Sequence, residues 1–301
     1  VQNNAQSGLF VPEREVQFQL TGKTSVRASA KRHKRQAGTI INKLEPASSS
    51  RTLQALKNVT LAQSSAKAEN QLVLIWSAIE NLLSDPPPGT ARILSYSNSM
   101  TPCVCLNYAR QYLCAIHDEI KQYHGIVFNR ALAELELDPA MDAHTQFSRL
   151  VFDPAHELVL RRLFGQLSSN PLAINRIWKL RQNFENPKNF LSSLNAHEQR
   201  VTWQIGRIYR ARNDLVHGGN PPRYLTPLVL NAFEYFKSTF FTLIHRAEDS
   251  RSDLEMDLLI SSVTFDYGRA KADLLELQKA GESFDSVSYT HLRAHETGRN
   301  L

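Results

Sequence analysis

The chain has 301 residues, a formal net charge of +6, 42% hydrophobic residues and 21% charged residues. That length can bury a sizeable core as one large domain or two small ones, and that composition excludes a disordered chain. Only 12 Gly and 13 Pro argue against a turn-rich all-β or collagen-like protein, and 3 Cys suit a reducing cytosol better than a disulfide framework.

The chain opens on Val1 rather than Met, without a signal-peptide pattern, and an upstream region is expected. Val16, Phe18 and Leu20 alternate with polar residues, as in a half-buried strand, and residues 39–41 form a second candidate. Residues 1–45 thus read as the end of an upstream β-containing region. TGKTS at residues 21–25 is similar to a phosphate loop, but the motif needs Gly where Gln17 stands, and it is rejected. Lys23, Arg27, Lys31, Arg32, Lys34 and Arg35 follow with no acid among them. Such an arm can hold phosphate backbones, with Lys31, Arg32, Lys34 and Arg35 as nucleic-acid contacts, or serve as a solvated linker.

From Pro46 onward the pattern is helical. One long helix is expected over residues 48–84, with Leu72, Ile75, Trp76, Ile79, Leu82 and Leu83 as its apolar stripe, stopped by DPPPG at 85–89. Its apolar run, residues 72–79, is too short to cross a bilayer, so no membrane contact is expected. Pro102 fits the first turn of a second helix reaching residue 123, with Gly125 as a break. Further helices are expected at 128–137, 155–167 and 172–184. A strongly patterned one covers 197–217, closed by Gly218 and Gly219 and then Pro221 and Pro222. Two more are expected at 227–247 and 267–280. The class is therefore all-α, a helical bundle.

The end of the chain reads differently. Residues 287–297, VSYTHLRAHET, resemble one reading frame of the transposase adapter used to prepare sequencing libraries. Residues 287–301 are expected to be a non-native scar, and His291 and His295 are not read as ligands. Without that tail, which holds Arg293, Glu296 and Arg299, the charge is +5. The basic arm alone carries +6, leaving −1 for the remainder.

Few residues carry chemistry. Cys103, Cys105, Cys114 and His117 have the spacing C-x-C-x8-C-x2-H, but helical residues two apart diverge, so Cys103 and Cys105 read as buried structural thiols and no metal is expected. The informative segment is RIYRARNDLVHGG. Val201, Ile205, Ile208, Arg212 and Leu215 share one helical stripe, so Arg212 stands where an apolar residue belongs and needs a partner or a cleft. Pairing with Glu80 is one candidate. Trp203, Arg207, Arg210, Asp214 and His217 line the other side, where Arg210 and Asp214 have i,i+4 spacing for a surface pair. Tyr209 and Trp203 read as packing residues.

RNDLVH, residues 212–217, resembles the R-x4-6-H motif of the HEPN ribonucleases, including the polar Asn213 after Arg212. WSAIENLL, with Trp76, Glu80 and Leu83, is similar to the first helix of the Apea-like HEPN group. The resemblance covers approximately residues 60–245, with inserted helices between 86 and 196, and it places a helical HEPN-like domain at 46–286. It implies a metal- and cofactor-free endoribonuclease that acts as a cytoplasmic homodimer on RNA. A toxin or phage-defence role, with an antitoxin or upstream sensor domain as partner, is a further implication. Arg212 and His217 would be catalytic, supported by Asn213, Asp214, Arg210 and Glu80. On an ideal helix Arg212 and His217 diverge by about 140°, so two-fold pairing or a distorted last turn is needed to converge them. A catalytically silent HEPN module that binds RNA or a protein, a plain helical scaffold, and a small zinc module remain as alternatives.

Overall fold

The computed structural model describes residues 38, 41–83, 89–138, 140–218, 222, 224–248 and 253–280. The strand expected at Val16–Leu20 by alternation, the basic arm with Lys31, Arg32, Lys34 and Arg35, and the tail at 287–301 lie outside them. Of the second expected strand only Ile41 is described, and it is helical; Leu44 forms a lone parallel bridge with Leu254.

Ten α-helices and no extended strand make up the described residues, so the all-α class holds. The helices are α1 (Pro46–Ser64), α2 (Ala68–Leu82), α3 (Arg92–Cys105), α4 (Tyr108–Ala133), α5 (Ala143–Phe152), α6 (Glu157–Gln166), α7 (Pro171–Phe184), α8 (Pro187–Asn213), α9 (Leu225–Glu248) and α10 (Met256–Ala280). None of the described helices is long and apolar enough to cross a membrane.

Two groups of helices emerge. In the first, α2 packs on α1 and α9, while α3, α8, α9 and α10 pack on one another. The second, α4 to α7, packs mainly on itself and joins the first where α7 meets α8. It falls within the stretch where the sequence called for inserted helices. The expected stripe of α2 is the centre of the first group: Leu72, Ile75, Trp76, Ile79, Leu82 and Leu83 are all buried. Burying side chains of this size contributes about 1.5–3 kcal/mol each relative to exposure, which fixes α2 as the wall against which the site is built.

The boundaries correct the sequence reading in several places, and the helix expected at 197–217 is α8, which starts ten residues earlier at Pro187 and ends as α-helix at Asn213. The expected helix at 48–84 is two helices, broken at residues 65–67, where Ser65 and Lys67 are extended. The break lets α2 fold back along α1, and Arg51 of α1 donates to the carbonyls of Asn81 and Leu83 at the end of α2. Pro102 lies inside α3 rather than at the start of a helix. A proline costs an interior hydrogen bond, and α3 ends three residues later at Cys105. Thr242 of α9 then donates to the Cys103 carbonyl at 3.0 Å, satisfying a helix-end acceptor. Gly125 does not end α4, but the backbone kinks beside it at His124, with φ −134 and ψ 30.

Three helix starts follow local chemistry. Asn170 and Asn186, each before a proline, accept from the backbone N–H groups of Ala173 and Asn189. Asp142 accepts from those of His144 and Thr145. The helices α3 and α5 were not expected from the sequence, and α10 starts earlier than the expected 267.

Candidate functional site

The α8 stripe is buried as the pattern requires: Val201, Ile205 and Ile208 are closed to solvent, and Leu215 packs on the core from partial cover. Arg212, on the same stripe, emerges against α2. Its Nη2 donates to Glu80 Oε2 at 3.4 Å and its Nη1 to Asn213 Oδ1 at 3.1 Å. The Arg212 and Glu80 side chains are 21% and 24% exposed, so the pair is shielded but wet at one edge. Glu80 uses its other oxygen, Oε1, to accept from Trp76 Nε1 at 2.9 Å. Trp76 is fully buried and lies between Tyr96 and Tyr209, with ring centroids 5.9 and 5.4 Å away. A chain of contacts thus runs from the core through Trp76 and Glu80 to the guanidinium.

The sequence had offered Glu80 as a partner for Arg212, and the two meet although they are 132 residues apart. Trp76 as the donor that orients Glu80 was missed. Its i,i+4 spacing on one helix was the available signal. The Arg212 Nε is buried and has no hydrogen-bond partner among the described residues. Arginine has five N–H donors, and with Nε buried the two contacts here leave one N–H on each Nη.

Beyond Asn213 the helix does not simply end. Residues Asp214–Gly218 form one π-helical turn, packed against α8 and α2. A π turn bonds i to i+5 and so rotates residues five apart toward a common face, and such turns occur often at functional sites. Arg212 lies in α8 before this turn, and His217 lies within it. His217 is exposed and makes no hydrogen bond or ion pair among the described residues.

Other expected members stand apart. Arg210 and Asp214 are both exposed but form no ion pair. The wider turn begins at Asp214 and alters the i,i+4 register, and two solvated side chains gain little by pairing. Trp203 is 63% exposed and is not a packing residue, whereas Tyr209 does pack, against Trp76. Arg207 lies over the Tyr224 ring, 5.3 Å from its centroid. Trp203, Arg207 and Arg210 follow helical spacing on the exposed side of α8, leading toward the π turn.

The candidate zinc set does not assemble. Cys103 and Cys105 are buried at the end of α3, and burial pushes both thiols up to about 12. Cys103 donates to the Ser99 carbonyl at 3.4 Å. His117 instead meets Asp118 and His144, the one group of three ligand-type side chains found among the described residues.

Comparison of the chain with protein-family models, curated proteins and solved structures finds no match. Fold and site together define an all-α helical bundle in which a half-buried arginine–glutamate pair adjoins a π turn that carries an exposed histidine.

Proposed function

We propose that the protein is an endoribonuclease of HEPN type, with Arg212 and His217 as its catalytic pair. The observation that supports this best is the π turn at Asp214–Gly218, which begins directly after Arg212 and Asn213 and bears His217. It is the kind of distorted last turn that the motif needs if one helix is to aim both side chains at one phosphate.

In this reading the 2′-hydroxyl of RNA attacks the adjacent phosphorus, and the 5′-oxygen of the next nucleotide leaves. The products are a 2′,3′-cyclic phosphate and a 5′-hydroxyl. His217 suits the proton transfer because an imidazole can both accept and donate a proton and the side chain is open to solvent. Arg212 suits the charge that grows on the non-bridging oxygens, because its fork remains cationic at all relevant pH values. Glu80, held by Trp76, and Asn213 fix the plane of that fork. RNA would approach along Trp203, Arg207 and Arg210, where an exposed indole offers stacking and two cations offer phosphate contacts. A second copy of the chain is the proposed partner across this face, where Trp203 and Val216 are both exposed.

The test is cleavage of single-stranded RNA by the full chain, with EDTA present. Wild type should cut RNA and leave DNA intact, with 2′,3′-cyclic phosphate ends. His217→Ala should keep its melting temperature and lose about two orders of magnitude in rate or more. Equal rates for His217→Ala and wild type would refute the assignment. RNA binding without any cleavage would favour the silent module.

A further inference from the structure

We propose that His117, Asp118 and His144 form a binding site for a divalent late first-row metal ion, with zinc as the natural occupant. The site lies in the second helix group, away from the Arg212 pair. His117 and Asp118 sit midway along α4, and His144 sits in the first turn of α5.

The three side chains each offer one ligand atom, all within 4.8 Å of one another. His117 Nδ1 is 2.8 Å from Asp118 Oδ1, and His144 Nε2 is 3.4 Å from the same oxygen. The imidazole centroids are 4.4 Å apart. Ligands at the corners of a tetrahedron with zinc bond lengths of about 2.0–2.1 Å are roughly 3.3 Å apart. The cluster therefore needs shifts of several tenths of an ångström to about 1.5 Å. Asp118 and His144 can supply them, because their side chains are 68% and 40% exposed. Two imidazoles and one carboxylate are the donors that zinc and its neighbours prefer, with solvent available for the fourth position.

A second observation comes from His117 itself. The residue is 2% exposed, and its Nε2 is buried with no hydrogen-bond partner among the described residues. A neutral imidazole has one N–H and one lone pair. If Nδ1–H donates to Asp118, the bare lone pair is left at the buried Nε2, and the imidazole as a whole packs against the Phe128 and Phe147 rings. A cation at Nδ1 takes the lone pair there and leaves the buried Nε2 protonated rather than as a bare lone pair. The surroundings of His144 are also consistent. Its Nε2 faces Asp118, while its other nitrogen, Nδ1, lies 3.9 Å from Asp142 Oδ1. At that distance Asp142 is an electrostatic neighbour of the His144 ring rather than a hydrogen-bond acceptor from it. Asp142 also caps α5 and so offsets the positive helix end that would oppose a cation. An ion held here would pin the start of α5 to the middle of α4.

The test is titration of Zn²⁺ into the metal-stripped full chain by calorimetry, with the melting temperature followed in parallel. Wild type should bind one equivalent at a Kd of about 1 μM or tighter, and its melting temperature should rise with zinc. Asp118→Asn and His144→Ala alter exposed side chains and should melt like wild type in EDTA. Each should weaken binding at least about tenfold. His291→Ala combined with His295→Ala should bind as wild type does. Absence of binding by wild type, or undiminished binding by Asp118→Asn and His144→Ala, would overturn the proposal. Binding is read directly, so the outcome is independent of whether the protein cleaves RNA.

Discussion

The Arg212–Glu80 pair can be tested by a double-mutant cycle of Glu80→Gln, Arg212→Met and the combination. Gln keeps an oxygen for Trp76 Nε1, and Met keeps an apolar stem on the stripe of Val201, Ile205 and Ile208. At the observed 3.4 Å, Coulomb's law gives roughly 5 kcal/mol at an effective dielectric of about 20 and roughly 1 kcal/mol in bulk water. With about a quarter of each side chain still wet, the coupling should fall between these limits, at about 2 kcal/mol. Glu80→Gln alone leaves a guanidinium without its counter-charge and should cost about 2 kcal/mol. The double variant should recover most of that loss, because two uncharged side chains no longer need each other. Urea unfolding of the four proteins measures the cycle. Losses that add to within about 0.5 kcal/mol would show that the two groups do not interact, and the structural account of the site would fail.

Two further outcomes concern the contact between α8 and the second helix group, and the thiols. His197 stacks on Tyr108 with centroids 4.1 Å apart, and burial, aided by the charge of Arg200, lowers its titration from its ordinary 6.5 to about 4. The unfolded chain binds the proton first, so this contribution is complete above about pH 6.5 and is lost as pH falls toward 4; wild type should lose more stability than His197→Phe over that window, and parallel curves would refute it. Among the 3 cysteines, Cys114 is half-buried, whereas Cys103 and Cys105 are closed and held as thiols by burial. One fast-labelled thiol per native chain is therefore expected with a thiol reagent, and two or more would show that the end of α3 opens readily.

The apolar stripes were legible because burial leaves a periodic record. The α2 stripe and the α8 stripe were both readable at residue level, and both are buried. The unexpected charge on the α8 stripe was also informative, since an arginine in such a place needs a partner. The break at residues 65–67 was not legible, because Ser65, Ala66 and Lys67 contain neither Pro nor Gly. It is imposed by α2 packing back on α1, a tertiary effect. Pro102 misled for a related reason: proline favours a helix start locally, but here the helix is buried on both sides of it, at Tyr96, Ser97 and Met100 before it and at Cys103 to Cys105 after it. The His117 group was hidden for a simpler reason. Its members lie on two helices, and α5 carries too short a pattern to be recognised.

The π turn joins these threads. The turn gives His217 a different direction from the one a continued α-helix would give it. A π turn is less favourable than α-helix and persists only where contacts hold it. Here the contacts are visible: Leu215 packs on the core in the middle of the turn, and α2 lies against it. Leu215 is also the residue that continues the Val201, Ile205, Ile208 and Arg212 stripe. The same apolar period that builds α8 therefore anchors its distorted end, while Val216 and His217 on either side of the turn's outer edge remain in solvent. Glu80 and Trp76 stand on the helix that buttresses the turn, so one wall positions both the guanidinium and the segment that bears the imidazole. The economy of that arrangement lies in its rigidity: a shielded guanidinium and a solvent-facing imidazole are set by core packing rather than by a mobile loop.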